Sequence, residues 1–480
     1  MNFRMSRRGL LGWLGAGSLL SPHTFGAAAQ TGRGRDLYEA LQEMPLADVH
    51  CHGMPALEFI TEEMFLEELA MPAWQMDAYF TINGENLYEK WRRAEGSEKR
   101  DLDQKHGIQR QLDSMLADFR ETAFAMYLVK EMAGFFKCKP TVRDVVAARN
   151  EYTKRSPWGY VNDLFAAVKL DDLYVTSMHS VWTTPAITVE QFAKGLKSRV
   201  HPIFTVNQLH RESLEAQVSF ADLIRQHDEA ATREIVKNRR VGFKSHVVTR
   251  AGADIPAMSD EEGERAWEAT RKISAEEKTR RHPGALPWDS PDRKVYHYLT
   301  WRLCDIAYKL DVPFHIHIGD GGEGQGNLSR QFPYNLENVA RWPVDYPQKP
   351  VKIVMVHGGY PHVDQAAYMA HIFPNVWYDM SWMNPIANRG LREKLISVFE
   401  TAPLSKVMYG SDAYHLPEFY YVAGKWGRKY IASALGVLVQ DGVLTLDEAI
   451  RAGRQILGEN ANRLHKVKAA TGTASVGAEP

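Results

Sequence analysis

Along the chain, short runs rich in β-branched and aromatic residues alternate with longer amphipathic stretches. The first run is LADVHCHG, Leu46 to Gly53. DLYVTSM (172–178), HPIFTVN (201–207) and VGFKSHVV (241–248) follow. VPFHIHIG (312–319), VKIVMVHGG (351–359), NVWYDMSW (375–382) and KVMYGSDA (406–413) complete the series. Each run predicts a strand. Helical periodicity fills most gaps, as in FADLIRQHDEAATREIVKNRR before the fourth run. Alternation of this kind predicts parallel β/α units. Eight units predict an α/β fold closed as a (β/α)8 TIM-type barrel rather than an open sheet. The spacing is uneven: the mostly helical residues 58–160 separate the first two strands and are expected as an insertion capping the barrel mouth. Ser259 to His282 is highly charged and is expected as a solvated surface helix. Thr445 with Glu448 forms a capping-box pattern that opens a final helix. The tail 469–480, rich in Ala, Gly, Thr and Ser, is expected to be disordered.

Charged residues make up 24% of the 480 positions and the formal net charge is -1. Such a balance offers no basic field for nucleic acid. A hydrophobic fraction of 44% and twelve tryptophans suit a large core. No internal run is long and apolar enough for a membrane span. The N-terminus differs from the rest. Arg7–Arg8 precede an apolar run from Gly9 to Leu20 and a small-residue site at Ala27–Ala29. This order predicts a twin-arginine signal over residues 1–29, with export to the periplasm and a barrel over 30–468. Cys51, Cys138 and Cys304 are too few to imply a disulfide framework. Cys51 and Cys304 are expected in core packing. Barrels of this kind often pair, so a homo-oligomer is an open expectation.

The ends of the predicted strands carry the candidate chemistry. His50 and His52 share one face of the first strand while Cys51 points the other way. Lys244 and His246 lie in the fourth strand, His315 and His317 in the fifth. His357 ends the sixth and Asp412 the eighth. In a closed β/α barrel these ends face the active site. Imidazole nitrogens with a carboxylate oxygen suit zinc, manganese or iron, and an incomplete protein shell leaves a catalytic position open.

These residues resemble the amidohydrolase superfamily, in its amidohydrolase-related branch of metal-dependent hydrolases. That branch includes decarboxylases and relatives of uronate isomerase. The likeness covers most of residues 37–468 and is weak over 58–160. Residues 374–465 resemble the amidohydrolase-like domain fused to glutamine synthetase in nodulin-related proteins, through PNVWYDMSW, KVMYGSDAYHLPEFYY and ILGENANRL. The HCH start after MPLADV is similar to uronate isomerases.

The resemblance implies that His50, His52, His317 and Asp412 bind one divalent metal, zinc with manganese or iron as alternatives. Asp412 would also take a proton from metal-activated water. His357 would bind the substrate or orient that water. Lys244 would bind a substrate anion or pair with a carboxylate in the mononuclear reading, and bridge two metals in a binuclear one. His315 and Arg250 are expected in the substrate pocket, with Trp382, Tyr360 and His415 shaping it. Relatives often carry an arginine in strand three, where this chain has Thr205 and Asn207. The implied activity is hydrolysis of a small amide, lactone or ester. A decarboxylase or a uronate-isomerase-like enzyme on the same barrel is the alternative, and a non-catalytic exported metal-binding barrel the third reading. Replacing Arg7 and Arg8 by lysine is expected to hold the protein in the cytoplasm on cell fractionation. Unchanged periplasmic recovery would refute the signal.

Overall fold

The computed structural model describes residues 32–468, except 75–79, 83–84, 179–186, 282–285, 320–330 and 342–349. The signal 1–29 and the tail 469–480 lie outside the described residues. Among the described residues, eight parallel strands appear where the apolar runs stand. They are β1 (Leu46–Gly53), β2 (Leu170–Met178), β3 (Arg199–Pro202 and Phe204–Thr205), β4 (Phe243–Ser245), β5 (Phe314–His317), β6 (Ile353–Val356), β7 (Val376–Asp379) and β8 (Val407–Met408). Pairing follows chain order, β1–β2–β3 and β3–β4–β5–β6–β7–β8.

Three backbone bonds join the last strand to the first. Val49 N donates to Tyr409 O at 3.1 Å, Asp412 N to His50 O at 2.9 Å, and His52 N to Ala413 O at 2.9 Å. Across the break in β3, Ile203 N donates to Val175 O and Phe204 N to Gly242 O. The ring is thereby continuous. Strands such as IVMV in β6 are buried throughout, as parallel strands covered on both faces require. Inside the ring, Val49, Tyr174, Ile203, Val354, Val356 and Met408 pack with Ala461 and Leu464 as a plug. A larger cluster joins the outer strand faces to the helices.

Between β1 and β2 the chain forms helices, among them Glu62–Trp74, Ile108–Arg120, Ala123–Phe136, Val142–Thr153 and Pro157–Ala167. Thr122, Thr141 and Ser156 cap the last three by accepting from Ala125 N, Asp144 N and Gly159 N, satisfying donors the helix itself leaves open. A buried carboxylate ties this region to the barrel. Glu418 sits in the first turn of helix Pro417–Gln440 and is fully buried. Its Oε1 accepts from Arg149 Nε and Tyr160 OH, each at 2.8 Å.

The charged run Ser259–His282 is not simply solvated. It forms helices Asp260–Thr270 and Ala275–Arg281. Gly263, Ala266, Trp267 and Thr270 fall at helical spacing and are buried, so a narrow apolar stripe packs inward beneath the charges. Gly263 has no room for a side chain: a Cβ there would lie 2.7 Å from the Tyr298 ring. Among the described residues no helix is long and apolar enough to cross a membrane.

Arg149→Met is expected to strand the buried Glu418 carboxylate and to destabilise the protein by about 3–5 kcal/mol. The check is the urea midpoint. Adding Glu418→Leu should recover much of the loss, and an unchanged midpoint in the single variant would show that the pair does not anchor the insertion.

Candidate metal centre

The seam between β8 and β1 brings the first three candidate residues together. His50 Nε2 and His52 Nε2 each stand 3.1 Å from Asp412 Oδ1. The donor atoms of His50, His52 and Asp412 all lie within 4.8 Å of one another, and all three residues are buried. Period-two alternation puts the two rings on one strand face. Asp412 reaches them because its own backbone is left-handed, at φ 56°. Asp48 Oδ1 accepts from Ser411 N at 2.9 Å, and its Oδ2 accepts from Ser411 Oγ. This clamps the loop to β1 just before Asp412. Gly410 is required beside it, since a Cβ there would stand 2.2 Å from Asp379 Oδ1.

A second group of rings borders the first. His357 Nδ1 lies 3.1 Å from Ser381 Oγ and 3.9 Å from Asp412 Oδ2. Ser381 Oγ donates to Asp379 Oδ2 at 2.6 Å, and Ser381 N donates to Asp379 Oδ1 at 2.8 Å. With its proton committed to Asp379, the Ser381 oxygen accepts from His357 Nδ1. His357 Nε2 then carries a lone pair and accepts from His317 Nδ1, 3.1 Å away. The direction of this chain is assigned from its partners. It leaves the lone pair of His317 on Nε2, the form a metal ligand needs. Asn207 holds the next ring in the same manner: its Nδ2 donates to His246 Nδ1 at 2.7 Å and its Oδ1 accepts from His246 N at 3.1 Å. The His246 and His317 rings are 5.1 Å apart.

The remaining candidates fall at three places. Lys244 Nζ is fully buried, 3.3 Å from His50 Nε2. His315, expected in the substrate pocket, turns to the far side of the pocket floor, where its Nε2 meets His465 Nε2 at 2.9 Å. Arg250 lines a neighbouring cavity with Asn207. Trp382 and Tyr360 stand at the ends of β7 and β6, and the Trp382 ring lies 6.4 Å from His357. His415 Nδ1 contacts Glu68 Oε2, and both groups are buried. The Tyr414 ring bridges His415 to His52, at 4.5 and 5.1 Å. Sequence reasoning missed Glu68, which looks like any other acid in EEMFLEELAM. It also missed Asp48, Asp379, Ser381 and Ser411. Asp48 and Asp379 do carry a signal, as lone carboxylates inside apolar strands.

The pocket electrostatics suit a cation. Burial, then the Lys244 charge, holds His50 and His52 well below the ordinary imidazole range. Burial, then His317, does the same to His357. The rings are therefore neutral, as metal binding requires. Burial pushes the Asp412 carboxyl up to about 7 against the pull of Lys244. Burial also pushes Asp379 up to about 7 and Asp48 up to about 8, against the serine hydrogen bonds. Lys244 is pushed down to about 8 by burial, opposed by Asp412 and Asp379. Two neutral nitrogens and one costly carboxylate facing a common point fit a divalent ion, which would restore the carboxylate charge.

Fold and site together define a β/α barrel with a buried nitrogen and oxygen donor set at the C-terminal ends of its strands. The amidohydrolase family model, Amidohydro_2, matches residues 206–467, more than half of the chain. The chain belongs to the amidohydrolase family. It is 24% identical over 342 residues to Protein fluG of Emericella nidulans, covering 67% of this chain and 38% of that protein. The chain thus spans well under half the length of that relative. Among solved structures, a proposed metal-dependent hydrolase from Lactobacillus casei superposes with a TM-score of 0.67 at 17% identity, over 90% of this chain and 97% of that one. A uronate isomerase from Thermotoga maritima superposes with a TM-score of 0.59 at 14% identity, again over 90% and 97%. At these identities the superpositions establish a shared fold.

Ser381→Ala breaks the hydrogen-bond chain that orients His357 and His317. Turnover is expected to fall about 10–100-fold while the fold is kept. Wild-type turnover in this variant would remove the chain from the working site.

Proposed function

We propose that the protein is a mononuclear metal-dependent hydrolase in which water attacks the carbonyl carbon of a small amide, lactone or ester. The observation that carries this reading is the meeting of His50 Nε2 and His52 Nε2 on one oxygen of Asp412, each at 3.1 Å. His50, His52 and Asp412, joined by His317, would hold one divalent ion. Zinc suits the set, and manganese or iron accept the same donors. Such an ion supplies Lewis acidity toward a carbonyl oxygen and makes water nucleophilic near neutral pH.

The residues of the chain do the rest. Asp412 accepts the proton of the attacking water and returns it to the leaving group. The buried Lys244 ammonium stabilises the negative charge that develops on the carbonyl oxygen. His357, with Ser381 on one ring nitrogen and His317 on the other, positions the site. The plug beneath the mouth closes it to water from below. The substrate is a small molecule, and the predicted signal peptide sets the reaction in the periplasm.

One feature supports a second reading, a sugar-acid isomerase. The buried Glu68–His415 pair joins the helical insertion to the mouth beside His52, and a carboxylate–imidazole pair there suits proton transfer between adjacent carbons. Uronate isomerases share the fold along most of their length.

Elemental analysis of protein purified without chelator is expected to find about one metal per chain, lost in His52→Ala. Asp412→Asn is expected to lower turnover by about 10²–10⁴-fold. In labelled water, a hydrolase product gains one solvent oxygen. An isomerase product gains solvent hydrogen on carbon and no oxygen. A folded protein without metal would sink both enzymatic readings.

A further inference from the structure

His246 follows β4, and Asn207 opens helix Asn207–Glu215 after β3. The two contacts between them fix where the ring proton sits. A backbone N–H can only donate. The His246 N–H, 3.1 Å from Asn207 Oδ1, therefore identifies that atom as the amide oxygen. The amide NH2 is then the group 2.7 Å from His246 Nδ1. An NH2 group also can only donate, so Nδ1 accepts and carries no hydrogen. The ring proton stands on Nε2. No described residue takes that N–H, and the ring is partly exposed.

The neighbouring ring has the opposite arrangement. β4 and β5 pair with Lys244 opposite His315. Two residues on along each strand, alternation returns the side chains to the same face, roughly 6–7 Å nearer the mouth. That places His246 level with His317, and their rings are 5.1 Å apart. His317 donates from Nδ1 to His357 and keeps its lone pair on Nε2. His246 has its lone pair engaged by Asn207 and its hydrogen on Nε2. One layer of the barrel thus sets a nitrogen suited to a metal beside a hydrogen-bond donor.

We propose that His246 binds the substrate, donating from Nε2 to an acceptor oxygen beside His317, and that Asn207 is the positioning residue that fixes this tautomer. The inference rests on the metal-dependent reading and adds a residue that recognises the substrate next to the ion. A donor set in advance by the fold needs no ordering when the substrate arrives. A substrate with a methylene group in place of that oxygen would bury the N–H without a partner and be rejected. The substrate therefore carries an oxygen acceptor adjacent to the group that the metal engages.

The test combines nitrogen–proton NMR of histidine-labelled, zinc-loaded full-length protein with calorimetric titration of acetohydroxamate, a small ligand with two neighbouring oxygens. The His246 signals, identified by their loss in His246→Ala, are expected to show Nε2 protonated and Nδ1 bare. Asn207→Asp offers Nδ1 an acceptor instead, so Nδ1 is expected to gain a proton there. Acetohydroxamate is expected to bind His246→Ala at least about tenfold more weakly at unchanged zinc content. His246→Gln keeps an N–H donor and should recover most of that loss. Should His246→Ala misfold, His246→Gln against His246→Glu, which has acceptors only, gives the same comparison. A bare Nε2 in the wild type, an Nδ1 that stays bare in Asn207→Asp, or acetohydroxamate affinity that ignores the loss of the donor would overturn the proposal. Zinc lost together with the His246 ring would make that ring a ligand, overturning the proposal and leaving the metal-dependent reading intact. A wild type that takes up no zinc would sink that reading. His246-dependent acetohydroxamate binding by such a protein would leave this inference standing, and no binding would overturn both.

Discussion

The seam where β8 meets β1 is the contact on which the site depends. His50 and His52 come from the first strand, and Asp412 from the last. They share a carboxylate oxygen only because the sheet closes on itself and Asp412 N bonds to His50 O. The left-handed backbone of Asp412 costs free energy, and the neighbouring interactions offset it. Asp48 grips Ser411 from one side, and Gly410 leaves room for Asp379 on the other.

Two buried carboxylates act through serines in a parallel way. Asp48 holds Ser411 next to Asp412, and Asp379 holds Ser381 next to His357. Each carboxylate accepts both a backbone N–H and a hydroxyl, which satisfies groups that would otherwise be expensive to bury. The result is a pocket whose rings have their tautomers set by partners outside it. Rigidity of this kind keeps a donor set open toward one point. The helical insertion adds a further constraint. Through Arg149 and Tyr160 it is bound to Glu418, three residues along the chain from the His415 that Glu68 meets at the mouth. The cap and the site are thus coupled by one short stretch of chain.

Much of the fold was legible in the pattern of residues. The eight apolar runs correspond to eight strands because a parallel sheet covered on both faces needs continuous apolar stretches. The strands are shorter than the runs: β8 keeps only Val407–Met408, since the chain leaves the sheet at Gly410 to present Asp412. The charged run at 259–282 misled because its charges outnumber a narrow buried stripe around Trp267. His-x-His spacing marked His50 and His52 without any need for tertiary information, as alternation alone puts both rings on one face.

Alternation could not decide how far each ring reaches. His315 and His317 share a face by spacing, yet His315 meets His465 at the pocket floor while His317 meets His357. Nothing local distinguishes Glu68 from its acidic neighbours, or brings Asn207 to His246. Sequence by itself determined the strand count, the barrel class and the residues with metal-binding chemistry, because periodicity and side-chain chemistry are local properties. Ring tautomers, buried carboxylate clamps and the lining of the cavity were decided by tertiary structure. Those depend on distances between residues hundreds of positions apart, and only closure of the barrel sets such distances.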